Sequence, residues 1–191
     1  MSGGPIDLLA LAGERPVHFV GIGGAGMCAL AELLVRQGVE VTGCDARASR
    51  ALADLRALGA DIDVGHASSH VEGASALVVT SAMPADHPEL LRAHELGIPV
   101  LKRAQALGAS VNQGRLLAIA GTHGKTTTTA MATEILAYAG QNPTGLVGGR
   151  VPGWSGNLRF GSGDLFVVEA DEYDRSFHAL TPDVAVVTNL E

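Results

Sequence analysis

The chain has 191 residues, enough to bury a substantial core, and 47% hydrophobic against 17% charged residues excludes the disordered class. Thirteen Lys and Arg against 20 Asp and Glu give a formal charge of -7, which argues against nucleic acid or an anionic membrane surface as partner, since both demand clustered positive charge. Two cysteines, Cys28 and Cys44, cannot build a disulfide framework or a four-thiolate zinc site, and their apolar settings read as inert buried thiols.

No apolar run approaches the roughly 20 residues that cross a bilayer. Residues 1–13 carry Ile6, Leu8, Leu9 and Leu11, but Asp7 interrupts them and no basic residue precedes them, so they do not read as a signal peptide. The cytoplasm is the expected compartment.

The first regular element is an apolar strand over 17–22 that ends in glycines. A helix over 25–37 follows, with Ala29, Leu30, Leu33 and Leu34 on one face and Gly38 as its stop. Val39 to Cys44 reads as a second strand ending at Asp45, 51–58 as a short helix, 76–80 as a strand, 88–96 as a helix begun by proline, and 98–101 as a strand. Alternation at this spacing predicts an α/β fold with a parallel sheet, a Rossmann-like domain within residues 1–112 that closes near Asn112-Gln113-Gly114.

The pattern then restarts. Leu116–Ala120 is an apolar strand, 121–125 a glycine-bounded loop, and 126–138 a helix. The Gly- and Pro-rich stretch 142–163 predicts turns or short strands, and 165–168 and 184–187 are strands. The sequence stops at Glu191 directly after a strand, which reads as a fragment cut inside a second domain, 113–191. Such a fragment is expected to be inactive alone, with an open sheet face that leaves room for self-association.

Two loops carry chemistry. Gly121-Thr122-His123-Gly124-Lys125-Thr126-Thr127 lies between a strand and a helix, the setting of a phosphate-binding loop, although its spacing is one residue shorter than usual if Ala120 takes the first position. Backbone N–H groups and the helix dipole would face phosphate oxygens there, Lys125 would neutralise the terminal phosphates, and the Thr126 hydroxyl would complete a Mg2+ shell. The earlier run Gly21-Ile22-Gly23-Gly24-Ala25-Gly26 also follows a strand, with Gly21, Gly23 and Gly26 in the Gly-x-Gly-x-x-Gly positions and Asp45 near where a ribose-binding acid would fall. It predicts diphosphate binding without saying which diphosphate.

The third feature is acidic. Asp171, Glu172 and Asp174 read equally well as a solvated loop, but Glu169 ends an apolar strand parallel to the one feeding the phosphate loop, where a hard oxygen can reach nucleotide-bound Mg2+. His66 and His70, four apart, could mimic a metal pair, but their Gly65 and Ser68-Ser69 setting predicts a loop and no third ligand is evident. His87 and His94 read as surface positions, His123 lies inside the phosphate loop, and His178 has no assigned role.

The tandem of phosphate signatures, together with Glu-Ala-Asp-Glu-Tyr-Asp-Arg-Ser-Phe at 169–177 and Val-Thr-Asn-Leu-Glu at 187–191, closely resembles the Mur ligase family from Val17 onward. The resemblance implies that Gly21, Gly23, Gly24, Ala25, Gly26 and Asp45 serve the UDP of a UDP-sugar rather than NAD. It implies ATP at Gly121, Thr122, His123, Gly124, Lys125, Thr126, Thr127 and Asn189, and Mg2+ on Thr126 and Glu169, with Lys125 and Glu169 the catalytic groups. The implied activity is ATP-dependent ligation of L-alanine to UDP-N-acetylmuramate, by way of an acyl phosphate, in peptidoglycan precursor synthesis. Family members continue to a Mg2+-binding histidine and a third domain that binds the amino acid. Competing readings are a ligase that attaches a recycled peptide to the same UDP-sugar, an NAD-dependent oxidoreductase built on the first glycine loop, and a non-catalytic UDP-sugar-binding module.

Overall fold

The protein is seen in a computed structural model that describes residues 8–13, 15–154, 156–171 and 177–190. The chain divides into two compact units, Met1–Ala106 and Leu107–Glu191.

In the first unit, α1 (Leu8–Ala12) precedes β1 (Val17–Val20), α2 (Ala25–Arg36), β2 (Val41–Asp45), α3 (Arg50–Ala57), β3 (Asp61–Val64), a 3-10 turn (Ser68–Val71), β4 (Ala76–Val79), α4 (Pro88–Glu95) and β5 (Val100–Lys102). The sheet order is β3-β2-β1-β4-β5 with every pairing parallel, as the strand–helix alternation predicts. β1 and β4 are buried throughout, which is why they read as near-continuous apolar runs, broken only by His18, rather than alternating ones. α2 buries Met27, Ala29, Leu30, Ala31, Leu33 and Leu34. It stops because Gly38, at φ 84°, takes the left-handed turn that lets Gly38 and Val39 N–H return to the Val35 and Leu34 carbonyls. One sheet face packs Val20, Cys44, Leu77 and Val79 against Ala93 of α4 and the flanking Leu90, Ile98 and Val100.

α5 (Arg103–Val111) follows β5 without a break and leads into the second unit. There β6 (Arg115–Ala120), α6 (Lys125–Tyr138), β7 (Thr144–Leu146), β8 (Leu158–Arg159), β9 (Leu165–Glu169) and β10 (Val184–Val187) form a sheet of order β10-β6-β9-β7-β8. All pairings are parallel except the short antiparallel β7–β8 pair, which accounts for the predicted turns and short strands of 142–163. β10 is the edge, and all four of its residues are exposed. No helix among the described residues is long and apolar enough to cross a membrane.

Candidate functional site

The first glycine loop joins β1 to α2 by a tight turn. Gly21 adopts φ 74°, a left-handed geometry that glycine takes without strain, and both Gly21 and Ile22 N–H donate to the Cys44 carbonyl at 2.8 and 3.1 Å. Ile22 is fully buried, and a Cβ on Gly43 would stand 2.7 Å from its Cδ1. Gly43 is therefore the hollow into which the loop is pinned. Gly23 donates its N–H to Asp45 Oδ2 at 2.9 Å, and Arg47 N–H donates to Oδ1 of the same carboxylate at 3.3 Å. Asp45 thus acts on the loop as an internal brace. The N-cap, Gly24, supplies no side chain to the first turn of α2, and Gly26 lies under Arg103, whose guanidinium would be 3.3–3.4 Å from a Cβ there. Helix dipole and Arg103 together favour an anion at this end. Sequence reasoning missed Arg103 because it sits 77 positions away, at the start of α5.

In the second unit the phosphate loop joins β6 to α6 at the C-terminal ends of three adjacent parallel strands, β10, β6 and β9. Gly124, the N-cap of α6, is left-handed at φ 82° and again supplies no side chain, so the helix opens on bare backbone. Lys125 folds back, its Nζ donating to the Gly121 carbonyl at 2.7 Å. The loop is tied from the far side by the segment after β10. Asn189 Oδ1 accepts from His123 N–H at 2.9 Å, and Thr188 Oγ1 donates to the His123 carbonyl at 2.7 Å. Thr122, His123, Gly124 and Thr127 are exposed.

Glu169 closes the site. As the last residue of β9, paired in register with Ile119, it stands beside the loop, and its Oε2 accepts from Thr126 Oγ1 at 2.9 Å and from Gly148 N–H at 2.7 Å. A hydroxyl and a carboxylate in direct contact at the mouth of a phosphate loop fit Mg2+, a hard cation that takes one or two protein oxygens and leaves the rest of its octahedron to phosphate and water. Asp171 is half-buried, while Glu172 and Asp174 lie outside the described residues.

The histidines and cysteines need correcting. His70 sits on the 3-10 turn, not in an open loop, and the fold brings it to His18, Cys44 and Glu89, so that further ligands do exist. His66 remains on the rim, its Nδ1 3.2 Å from Cys44 Sγ. His87 is half-buried with its ring edge-on to His66, centroids 4.8 Å apart, whereas His94 is exposed as expected. Cys28 behaves as an inert thiol, burial pushing it up to about 11. Cys44 is not isolated: its thiol donates to the fully buried Glu89 carboxylate, and burial together with that contact raises it well above the usual thiol range. Burial alone would raise Glu89, but His18, Cys44 and the Ala67 N–H outweigh it and hold the carboxyl at about 2.

A parallel α/β sheet with a strand–glycine–helix crossing, joined in sequence to a second glycine-bounded strand–loop–helix unit with a paired Thr and Glu, is the architecture of the phosphate-loop class. The chain belongs to the Mur ligase family: residues 16–115 match the Mur ligase family catalytic domain, and residues 119–191 match the Mur ligase middle domain.

Among individual proteins, the UDP-N-acetylmuramate–L-alanine ligase of Streptomyces griseus is 51% identical over 179 residues, 93% of this chain and 38% of that protein. The protein of the same name from Streptomyces avermitilis is 50% identical over 184 residues, 96% of this chain and 39% of that one. The solved structure of UDP-N-acetylmuramate-alanine ligase from Thermotoga maritima superposes with a TM-score of 0.83 at 33% identity, over 93% of this chain and 42% of that chain. A murein peptide ligase from Psychrobacter arcticus superposes with a TM-score of 0.84 at 31% identity, over 93% and 43% of the two chains. The chain spans 38–39% of the length of its Streptomyces relatives.

Proposed function

We propose that this chain is the nucleotide-handling part of an ATP-dependent amide-forming ligase that joins L-alanine to UDP-N-acetylmuramate in peptidoglycan precursor synthesis. In this reading residues 1–112, the first unit with α5, hold the UDP-sugar, and residues 113–191 belong to the ATP-binding domain. The observation that carries it is the phosphate loop itself: an uncapped α6 N-terminus, Lys125 folded over Gly121, and Thr126 bonded to Glu169 at 2.9 Å.

Carboxylate and amine do not condense unaided in water, because hydroxide is a poor leaving group. ATP, when bound, would supply the phosphoryl group that converts the lactyl carboxylate to an acyl phosphate and leaves ADP; the amine would then attack the carbonyl carbon, expelling inorganic phosphate and giving up a proton to form the amide. Lys125 swings from the Gly121 carbonyl to the terminal phosphates, and the N–H groups opening α6 hold the phosphate oxygens. Thr126 and Glu169 would hold Mg2+, which spreads the charge that develops on the transferring group. At the other site the α2 N-terminus and Arg103 receive the UDP diphosphate, with Asp45 keeping the glycine loop rigid. No side-chain nucleophile is required.

A second reading, a ligase adding a peptide to the same UDP-sugar, is supported by the superposition on the murein peptide ligase, TM-score 0.84 against 0.83 on the alanine ligase. The test common to both is a melting experiment on this chain. UDP-N-acetylmuramate should raise the melting temperature, a gain of about 2.7 kcal/mol at a hundredfold excess over Kd. No shift at millimolar UDP-sugar, with a shift from NADH instead, would overturn the assignment. Competition between L-alanine and a peptide in a full-length relative separates the two readings.

A further inference from the structure

The phosphate sites leave unused one cluster of ligating side chains in the first unit. Its members come from four elements: His18 from β1, Cys44 from β2, His70 from the 3-10 turn and Glu89 from the first turn of α4. His18 pairs in register with Thr42 and Val20 with Cys44, so the period of two along each strand puts His18 and Cys44 on the same sheet face, the one α4 covers. His18, Cys44 and Glu89 are buried, and His70 is 18% exposed.

The donor atoms converge. Cys44 Sγ is 3.2 and 3.1 Å from the two Glu89 oxygens, His70 Nδ1 is 3.2 Å from Oε1, and His18 Nε2 is 3.7 Å from Oε2. One donor from each residue can be chosen so that no pair is more than 4.8 Å apart. Around a tetrahedral ion with bonds of about 2.0–2.3 Å, donors lie roughly 3.3–3.8 Å from one another, so small side-chain adjustments close the set.

Two further observations point to a ligand rather than to a closed hydrogen-bond network. His18 Nε2 is buried and makes no hydrogen bond, its neighbour Glu89 Oε2 standing too far off at 3.7 Å, and a buried polar atom left without a hydrogen bond is costly. Each imidazole is also held from its other nitrogen: His18 Nδ1 lies 2.8 Å from Thr42 Oγ1, and His70 Nε2 lies 3.5 Å from Asp63 Oδ2. That outer support, fixing the ring and its tautomer, is the usual companion of metal-bound histidine.

We propose that His18, Cys44, His70 and Glu89 form a tetrahedral Zn2+ site that staples the 3-10 turn and α4 to the first sheet. One sulfur, two imidazole nitrogens and one carboxylate oxygen suit a borderline-soft cation, whereas Mg2+ and Ca2+ select oxygen. Four protein donors leave no open position, so the site is structural. Zn2+ replaces the proton that the Cys44 thiol shares with Glu89, and that proton goes to solvent. His66, 28% exposed and beside Cys44 Sγ, stands on the entry side. Because the Cys44 carbonyl also receives the Gly21 and Ile22 N–H groups, the site steadies the strand on which the first glycine loop hangs.

The test uses this chain, stripped with a chelator and titrated with Zn2+ alone and with Co2+ as a coloured substitute. The expected result is one Zn2+ per chain, a higher melting temperature that chelator reverses, and a Co2+ spectrum with a thiolate charge-transfer band. Cys44→Ala should lose that band, and Cys28→Ser should keep it. Asp63→Ala, at a residue 66% exposed on the edge strand β3, should still fold and should weaken Zn2+ binding about 10- to 100-fold. Sub-stoichiometric Zn2+, a Co2+ spectrum without the thiolate band, or a band that survives in Cys44→Ala would overturn the proposal. If Cys44→Ala does not fold, unchanged Zn2+ affinity in Asp63→Ala overturns it.

Discussion

Two glycines of the phosphate loop are both left-handed, yet substituting them should have different consequences. At Gly124, φ 82°, a Cβ would meet nothing within 4 Å, so Gly124→Ala carries only the cost of a left-handed alanine, about 1–2 kcal/mol. At Gly121, φ 132°, the same Cβ would run into Thr188 Oγ1 and lie 3.1 Å from the backbone N and O of Asn189. Backbone strain there costs about 1–3 kcal/mol. Crowding adds about 1–3 kcal/mol, which puts Gly121→Ala near 2–6 kcal/mol. Thr188→Ala should cost about 1 kcal/mol, the worth of the hydroxyl's bond to the His123 carbonyl at 2.7 Å. It also removes the atom the new methyl strikes. The double variant should therefore be less destabilised than the two singles imply, with a coupling of about 0.5–3 kcal/mol. Urea denaturation of this chain and its variants measures the cycle, provided the m-values agree. Additivity within about 0.5 kcal/mol, or a Gly121→Ala no worse than Gly124→Ala, would refute the claim that segment 188–189 seats the loop.

Lys125→Ala should weaken ATP binding about ten- to hundredfold, the worth of a charge-assisted contact, and leave UDP-N-acetylmuramate affinity unchanged; calorimetry with each ligand checks it, and equal loss of both would show the two sites misassigned. Glu169→Gln keeps a carbonyl for Thr126 Oγ1 and Gly148 N–H, so its melting temperature should hold while the Mg2+ dependence of ATP binding is lost. Glu169→Ala strands both donors and should cost about 1–3 kcal/mol in denaturant titration. Arg103→Ala should weaken UDP-sugar binding by about tenfold or more, with a shallower salt dependence, and leave ATP binding alone.

What the sequence made legible is what lies close together along the chain. β1 and β6 are short, largely apolar runs leading into glycine, each followed by a helix, and both the fold class and the position of the two glycine loops follow from that local order. β3 escaped because Asp-Ile-Asp-Val at an edge buries only Ile62. α5 escaped because it begins on the residue after β5, leaving no turn to announce it; Gln105 Oε1, accepting from Lys102 N–H at 2.9 Å, makes that junction. Four-body arrangements were out of reach for a different reason. His18, Cys44, His70 and Glu89 are separated by 26, 26 and 19 positions, and only the parallel strand register and the crossing of α4 bring them together. A carboxylate just after a helix-starting proline ordinarily serves the helix dipole at the surface, so Glu89 gave no sign that it would be fully buried.

The two glycine loops solve one problem by different routes, and the difference decides what can perturb each. On the function proposed, both hold a helix N-terminus open to an anion, and neither N-cap, Gly24 or Gly124, spends a side chain on the first turn. A loop left uncapped needs bracing from elsewhere. In the first unit the brace is the next strand: Cys44 and Asp45 take three loop N–H groups between them, and Gly43 makes room for Ile22. In the second unit it is the segment after β10, 65–66 positions downstream, through Thr188 and Asn189. Among the described residues β10 is an exposed edge strand paired with β6 alone, whereas β2 is sandwiched between β1 and β3. Edge strands open locally at lower free energy than central ones. The phosphate loop should therefore exchange its amide hydrogens faster than the first loop, and bound ATP should narrow the gap by clamping it.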